Sequence, residues 1–176
     1  CCNRKLVVVG GAGNDTVSMS GPFDRLTADL GPGDDYIVGG EGGGGISGTL
    51  LMGDGNDRIG MGNFAGPSGF IDMGPGNDVL GLGRGNGVRG IIDLGLGDDR
   101  VHMAGVSGDF ELRAGYGDDV IEIHDFDQGS LSLDAGDGQD SVTLTGDRRN
   151  ESRKIDPLSI VLAAGDDRLE GGSAAI

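Results

Sequence analysis

The residues of this 176-residue chain best suited to chemistry are aspartates that end a repeated five-residue motif, Gly-x-Gly-[Asn/Asp/Gln]-Asp. The motif occurs at 11–15, 31–35, 53–57, 74–78, 95–99, 115–119 and 136–140, with a weaker eighth copy at 163–167. The final aspartates are separated by 20, 22, 21, 21, 20, 21 and 27 residues, and they are Asp15, Asp35, Asp57, Asp78, Asp99, Asp119, Asp140 and Asp167. Carboxylates beside glycine carbonyls form a hard oxygen donor set that suits Ca²⁺. The aspartate column contains no His or Cys, which disfavours zinc and softer metals.

Short strands must position these aspartates, because apolar and polar residues alternate on both sides of each motif. Leu131, Leu133 and Ala135 alternate with polar residues before the motif at 136–140, and Val142 follows it. Each repeat is therefore a strand, a tight Gly-Asp turn, a second strand and a looser return. One such unit cannot bury its apolar face alone, whereas stacked copies can. We predict an all-β parallel solenoid, β-roll or β-helix-like, with about eight coils and essentially no helix.

Composition and charge narrow the classes of partner. The chain has 39 Gly and only 4 % aromatic residues, so its interior should be narrow and poor in aromatic side chains. The formal net charge is −16, with 24 Asp but only 5 Glu. This sign argues against nucleic acid and against an anionic membrane surface as partners. No stretch approaches the roughly 20 apolar residues of a membrane span.

A parallel stack would bring the motif aspartates into one column along an edge of the solenoid. Adjacent strands lie about 4.8 Å apart, so neighbouring carboxylates would repel one another strongly unless they were neutralised. Either their pKa values rise or a cation lies between them. The aspartate column is therefore a candidate cation site.

The repeat resembles the haemolysin-type (RTX) calcium-binding modules of secreted bacterial proteins, whose nonapeptide is Gly-Gly-x-Gly-x-Asp-x-apolar-x. Residues 10–18, GGAGNDTVS, match it fully, and the later copies carry an apolar or small residue in the first place. The resemblance covers nearly the whole chain. In the family the nonapeptides follow one another directly, whereas here one motif recurs per coil. Calcium is therefore expected along one edge only.

The resemblance also implies a ligand set. In the family, the closing aspartate and loop carbonyls of two adjacent turns hold each calcium ion. Carried over, the metal ligands are the eight motif aspartates with carbonyls at Gly11, Gly13, Gly31, Gly33, Gly53, Gly55, Gly74, Gly76, Gly95, Gly97, Gly115, Gly117, Gly136 and Gly138. Eight coils allow up to seven Ca²⁺ ions between them, whose charge is close to the −16 of the chain. The eighth motif has Ala163 in place of its first glycine, which should weaken the last site.

We predict one solenoid domain at 6–176 after a short tail at 1–5, with an irregular insertion at 146–157. Cys1 and Cys2 are candidates for lipidation or a disulfide. The chain begins with Cys rather than Met and shows no signal peptide, as expected of a mature form or a fragment.

Other polar residues have simpler interpretations. Arg58, Arg100 and Arg168 directly follow a motif aspartate and should point outward. A row of outward aspartates gives solubilising charge or, alternatively, a second line of cations: Asp29, Asp72, Asp93 and Asp134. His102 and His124 are expected on the surface, because neither lies in a nucleophile motif. We therefore predict that the chain is not an enzyme.

These observations predict an extracellular or cell-surface calcium-binding structural module, as in a bacterial adhesin, whose folding is coupled to Ca²⁺. Two alternatives stay open. One is a subunit of an end-to-end filament or surface layer, because open solenoid ends can pair with other chains. The other is a glycan-binding or polysaccharide-acting domain on a solenoid scaffold.

Overall fold

The computed structural model describes residues 5–19, 25–39, 47–62, 64–65, 68–126, 128–146 and 155–171. Within these residues the regular structure consists of strands without a helix. The strands are β1 (Lys5–Val9), β2 (Thr16–Met19), β3 (Arg25–Asp29), β4 (Tyr36–Gly39), β5 (Ser47–Leu51), β6 (Arg58–Met61), β7 (Phe64–Ala65), β8 (Ser68–Asp72), β9 (Val79–Leu82), β10 (Gly85–Asp93), β11 (Arg100–Ala104), β12 (Val106–Arg113), β13 (Val120–Phe126), β14 (Gly129–Asp134), β15 (Ser141–Gly146), β16 (Ile155–Val161) and β17 (Arg168–Gly171).

Two parallel sheets form the walls of a solenoid. The strand before each Gly-Asp turn belongs to one sheet, in the order β1-β3-β5-β8-β10-β12-β14-β16, with the short β7 also beside β10. The strand after each turn belongs to the other, in the order β2-β4-β6-β9-β11-β13-β15-β17. The predicted all-β parallel solenoid is thus confirmed. It has about six turns rather than about eight, because the first and last coils have a neighbour on one side only and do not enclose a complete core.

The core is a set of apolar columns between the two sheets. In the second sheet one column places equivalent residues of successive coils in register and fully inside: Ile37, Ile59, Leu80, Val101, Ile121 and Val142. The facing residues of the first sheet complete the interior. At the two end coils the inward side chains are only partly buried: Leu6, Val8, Val17, Met19, Leu158, Ile160 and Leu162. Stacking, rather than any single repeat, therefore buries the apolar surface.

The return segments differ from the looser connections predicted from the sequence. In the later coils the strands extend into them, so that β10 has nine residues and β12 has eight. Their apolar residues enlarge the interior, and aromatic side chains fill part of it. Phe126 is fully buried, and its ring centroid lies 5.8 Å from that of Phe110. The interior is wider near the return than the glycine-rich composition indicates.

Several predictions fall at or beyond the limits of the described residues. Cys1 and Cys2 lie outside them, as do residues 147–154 of the predicted insertion. The ends of that insertion are strand rather than irregular structure, because Gly146 closes β15 and Ile155 opens β16. A helix able to cross a membrane does not occur in the described ranges.

Candidate metal centre

In the inner Gly-Asp turns, successive coils stack so closely that neither glycine position leaves room for a Cβ atom. Gly74 and Gly76 have φ angles of 91° and 152°, in the region that favours glycine. A Cβ atom on Gly76 would lie 1.7 Å from the carbonyl oxygen of Gly55, the equivalent glycine of the preceding coil. The repeated glycines therefore allow the turns to pack directly on one another and align the aspartates that follow them.

The motif aspartates form a continuous hydrogen-bonded column, here called the buried ladder. In each step the backbone N–H of one aspartate donates to Oδ1 of the equivalent aspartate in the next coil. The N···O distance is 2.7 Å from Asp57 to Asp78 and 2.8 Å from Asp78 to Asp99. The complete ladder is Asp15, Asp35, Asp57, Asp78, Asp99, Asp119, Asp140 and Asp167. The structure thus brings all eight predicted aspartates together along one edge.

The second carboxylate oxygen is the unusual feature of this ladder. The six inner aspartates, Asp35 to Asp140 of the ladder, are at most 2 % exposed. Their Oδ2 atoms are buried, and none has a hydrogen-bond partner among the described residues. Buried carboxylate oxygens without a partner are costly, because their hydration is lost and nothing replaces it. Six such atoms in one column form a line of buried oxygens that a cation or protons would neutralise.

Burial raises the pKa values of the inner ladder aspartates from Asp57 to Asp140. Desolvation raises the pKa of Asp57 to about 6 and that of Asp78 to about 7, with smaller contributions from neighbouring carboxylates. The pKa of Asp99 rises to about 8 and that of Asp119 to about 7 for the same main reason. Hydrogen bonds from backbone N–H groups oppose the rise without cancelling it. Without a cation, the middle of the ladder therefore holds protons near neutral pH.

The outer members of the ladder differ from the inner ones. Asp15 and Asp167 are only partly buried. Oδ2 of Asp15 accepts a hydrogen bond of 3.1 Å from the backbone N–H of Gly11 in its own turn. Among the described residues, a ladder Oδ2 that is both buried and without a partner therefore occurs only at aspartates that have a coil on each side.

The carbonyls of the first motif glycines, which the resemblance offers as calcium ligands, already take part in the stack. The carbonyl oxygen of Gly95 accepts from the N–H of Tyr116 at 3.1 Å, and that of Gly115 accepts from Asp137 at 2.9 Å. Each carbonyl oxygen has a second lone pair. These hydrogen bonds thus hold the carbonyls in place without using all of their capacity.

A second column beside the first, here called the exposed ladder, was not identified from the sequence. It consists of the residue before the motif aspartate in the first seven copies, and in each step a backbone N–H donates to the side-chain oxygen of the equivalent residue in the preceding coil. The distance is 3.0 Å from Asp98 N to Asn77 Oδ1 and 2.9 Å from Asp118 N to Asp98 Oδ1. Its members are Asn14, Asp34, Asn56, Asn77, Asp98, Asp118 and Gln139. The sequence feature that could have indicated this column is that its motif position contains only Asn, Asp or Gln.

The remaining predicted polar residues lie on the outer faces. Arg58, Arg100 and Arg168 are exposed, as predicted. The outward aspartates share one register row of the first sheet, which Leu51 and Arg113 interrupt: Asp29, Asp72, Asp93 and Asp134. Burial, followed by the charge of Asp93, raises the pKa of Asp72. His102 is exposed and His124 is partly buried, both on the outer side of the second sheet.

No family model matches the chain, and no curated protein or solved structure matches it either.

Proposed function

We propose that this chain is a calcium-binding structural module in which Ca²⁺ ions occupy the buried ladder and stabilise the stacked coils. The observation that carries this proposal is the line of six buried Oδ2 atoms that have no hydrogen-bond partner within the described part of the chain. A cation between successive aspartates would give each of these oxygens a ligand bond. It would also remove the repulsion between neighbouring carboxylates.

The donor set favours a hard divalent cation. Successive aspartates offer carboxylate oxygens, and backbone carbonyls of the adjoining turns lie along the same edge. An all-oxygen set of carboxylates and carbonyls suits Ca²⁺, which accepts six to eight ligands at about 2.3–2.6 Å. Mg²⁺ demands a near-octahedral set at about 2.0–2.1 Å and loses its water reluctantly, so the ladder should select against it.

Binding and folding should be coupled in this module. The ligand oxygens of one site come from two coils, so they converge only when the coils stack. A ligand that binds the folded state alone stabilises it by mass action. Calcium sites of extracellular modules have Kd values of about 10⁻⁴–10⁻³ M. Such sites would fill after export, which favours an extracellular or cell-surface role that is structural rather than catalytic, as in the RTX-like modules of secreted bacterial proteins.

Far-UV circular dichroism during a calcium titration of chelated protein tests this proposal, with magnesium as the control ion. We expect cooperative gain of β-structure at roughly millimolar calcium, and not at equal magnesium. Equilibrium dialysis should then show several bound calcium ions per chain. A chain that is fully folded in chelator and binds no calcium at millimolar concentration would contradict the proposal.

The neighbouring residues Asp98 and Asp99 supply a matched pair of variants. Asp99→Asn keeps Oδ1 as the acceptor for Asp78 N–H but removes the buried charge. Asp98→Asn makes the same chemical change in the exposed ladder, where Asn77 shows that asparagine fits. Only Asp99→Asn should weaken calcium binding. Equal effects of the two substitutions would mean that calcium binds to surface charge rather than to the buried ladder.

A further inference from the structure

The two histidines of the chain meet on the outer face of the second sheet, away from the buried ladder. His102 on β11 is the register partner of Glu122 on β13, and His124 follows two residues later on the same strand. Because alternate residues of a strand share a face, all three side chains project outward. One ligand atom from each of the three lies within 4.8 Å of the others.

We propose that His102, Glu122 and His124 form a second metal site, for Zn²⁺, that is independent of the calcium sites. His102 Nδ1 lies 3.3 Å from Glu122 Oε2. Two donors on one tetrahedral zinc ion are separated by about 3.3 Å, because zinc–ligand bonds measure about 2.0–2.2 Å. This pair, which is an ion pair when His102 is protonated, already has the required spacing. Rotation of the half-exposed side chains of His102 and Glu122 would close the remaining separations.

Local structure around His124 supports the assignment. The pairing of β13 with β15 is irregular between Ile123 and Phe126, and Asp125 has a φ of 54°, the one positive value at a described non-glycine residue. Such bulges redirect individual side chains. Nδ1 of His124 lies 3.3 Å from Oγ1 of Thr145. A hydrogen bond there fixes the ring and leaves Nε2 as the metal ligand, the arrangement in which outer partners orient metal-binding histidines.

The flanks of the cluster leave room for an ion. The register partner of His102 on β9 is Gly81, and the partner of His124 on β11 is Ala104. Neither carries a large side chain that would cover the imidazole rings, whose centroids are 5.6 Å apart. Two imidazoles and one carboxylate are a zinc ligand set that keeps a fourth position for water or a ligand from outside. Imidazole nitrogens favour zinc and other transition metals, whereas the oxygen ligands of the buried ladder favour calcium, so the two sites should bind different metals.

Zinc titration in saturating calcium tests the proposal, because calcium then occupies any ladder sites that would otherwise take up zinc. We expect one Zn²⁺ per chain by isothermal titration calorimetry, with the heat lost in His102→Ala and in His124→Ala. Glu122→Gln should weaken binding about tenfold or more, and Thr145→Val, which removes the outer partner, about 10–100-fold. Thr143→Ala is the control, since Thr143 is the register neighbour of Glu122 on β15 and is not a ligand.

The visible absorption of bound Co²⁺ reports metal ligation directly, so it distinguishes ligands from residues that only support the fold. Co²⁺ bound through two imidazoles and a carboxylate should show visible ligand-field absorption in the parent protein and in Thr143→Ala, but not in the histidine variants. The circular dichroism of each variant in calcium establishes that it is folded. The proposal fails if zinc does not bind at millimolar concentration, or if folded Glu122→Gln and His102→Ala bind it as the parent does. It also fails if Asp99→Asn abolishes zinc binding while these variants retain it.

Discussion

The buried and the exposed ladder run side by side along the turn edge. In both, a side-chain oxygen accepts from the backbone N–H of an adjacent coil, but the two ladders point in opposite directions along the stack. In the buried ladder the N–H of Asp78 donates forward to Asp99, in the next coil. In the exposed ladder the N–H of Asp98 donates backward to Asn77, in the coil before. Each turn is thereby joined to both neighbours by side-chain oxygens as well as by the sheets.

The two ladders differ in the surroundings of the second polar side-chain atom, the one that does not accept the backbone N–H. In the exposed ladder that atom faces water, so the amide of Asn77 and the carboxylate of Asp98 serve equally well. In the buried ladder the position is aspartate in all eight copies, although asparagine would supply the same Oδ1 acceptor. Hydrogen bonding therefore does not explain the buried aspartates. The proposed cation sites would explain them, because a bound cation compensates for the buried charge.

The largest expected difference between the ladders is in calcium-dependent stability. Asp99 would contribute to two calcium sites, one with Asp78 and one with Asp119. A ligand at 100 times its Kd stabilises the folded state by about 2.7 kcal/mol per site, so Asp99→Asn should remove up to about 5 kcal/mol of the calcium-induced gain. Asp98→Asn should change it by less than about 0.5 kcal/mol. Urea unfolding at several calcium concentrations measures both, and an equal loss in the two variants would contradict the comparison.

The second difference is in pH dependence without calcium. Burial raises the pKa of Asp78 to about 7 and of Asp99 to about 8, above the ordinary value of 3.8. The folded state then binds more protons than the unfolded state, so this stabilisation is complete below about pH 4 and is lost as the pH rises through about 6–8. The folded fraction in chelator, measured by circular dichroism, should fall from pH 5 to pH 8, and calcium should reverse that trend. The Asp99→Asn variant should show a weaker trend than Asp98→Asn. Stability in chelator that rises over this pH interval would contradict the assignment of raised pKa values.

The third difference concerns the acceptor oxygen itself. Asp98→Ala removes the acceptor for the N–H of Asp118, which water can replace because the site is exposed. The expected cost is at most about 0.5–1.5 kcal/mol. Relative to Asp99→Asn, Asp99→Ala leaves the Asp78 N–H buried without an acceptor and should cost a further 1–3 kcal/mol, roughly. Thermal unfolding in calcium ranks the variants. If Asp98→Ala lowered the stability more than the change from Asp99→Asn to Asp99→Ala does, the acceptor in the exposed ladder would be the more important one, contrary to this prediction.

The smallest effect is expected from charge in the exposed ladder. Asn77→Asp would place a third carboxylate beside Asp98 and Asp118 while keeping the acceptor for Asp98 N–H. Exposed charges interact weakly and are screened by salt, so the expected loss is below about 1 kcal/mol and disappears at high ionic strength. Denaturant midpoints at low and high sodium chloride measure it. A salt-independent loss of several kcal/mol would show that this column is not exposed in solution.

The repeat made much of the fold and the buried ladder predictable. Because equivalent residues of a parallel stack lie in register, the spacing of Asp78 and Asp99 alone places them in one column. The inward Ile59 and Leu80 follow from the alternation on either side of the turns. The absence of partners for the Oδ2 atoms was not predictable, since it depends on the depth to which the carboxylates are buried.

Features of the return and of the outer faces were harder to predict. The burial of Phe126 depends on how far strands extend beyond the repeat, and the irregular return segments contain no periodic signal for this. The His102–Glu122 contact was accessible in principle, because these residues are 20 residues apart, one repeat length. The contact becomes evident only when both residues are projected onto adjacent coils.

A crystal structure determined in calcium, with anomalous diffraction data, tests the central claim most directly. If calcium occupies the buried ladder, anomalous peaks will lie between successive aspartates, each within about 2.3–2.6 Å of carboxylate oxygens. The peaks around residue 99 will be lost in Asp99→Asn but not in Asp98→Asn. Intact coils with no ion between the buried carboxylates at millimolar calcium would contradict it and would mean that protons alone neutralise the ladder.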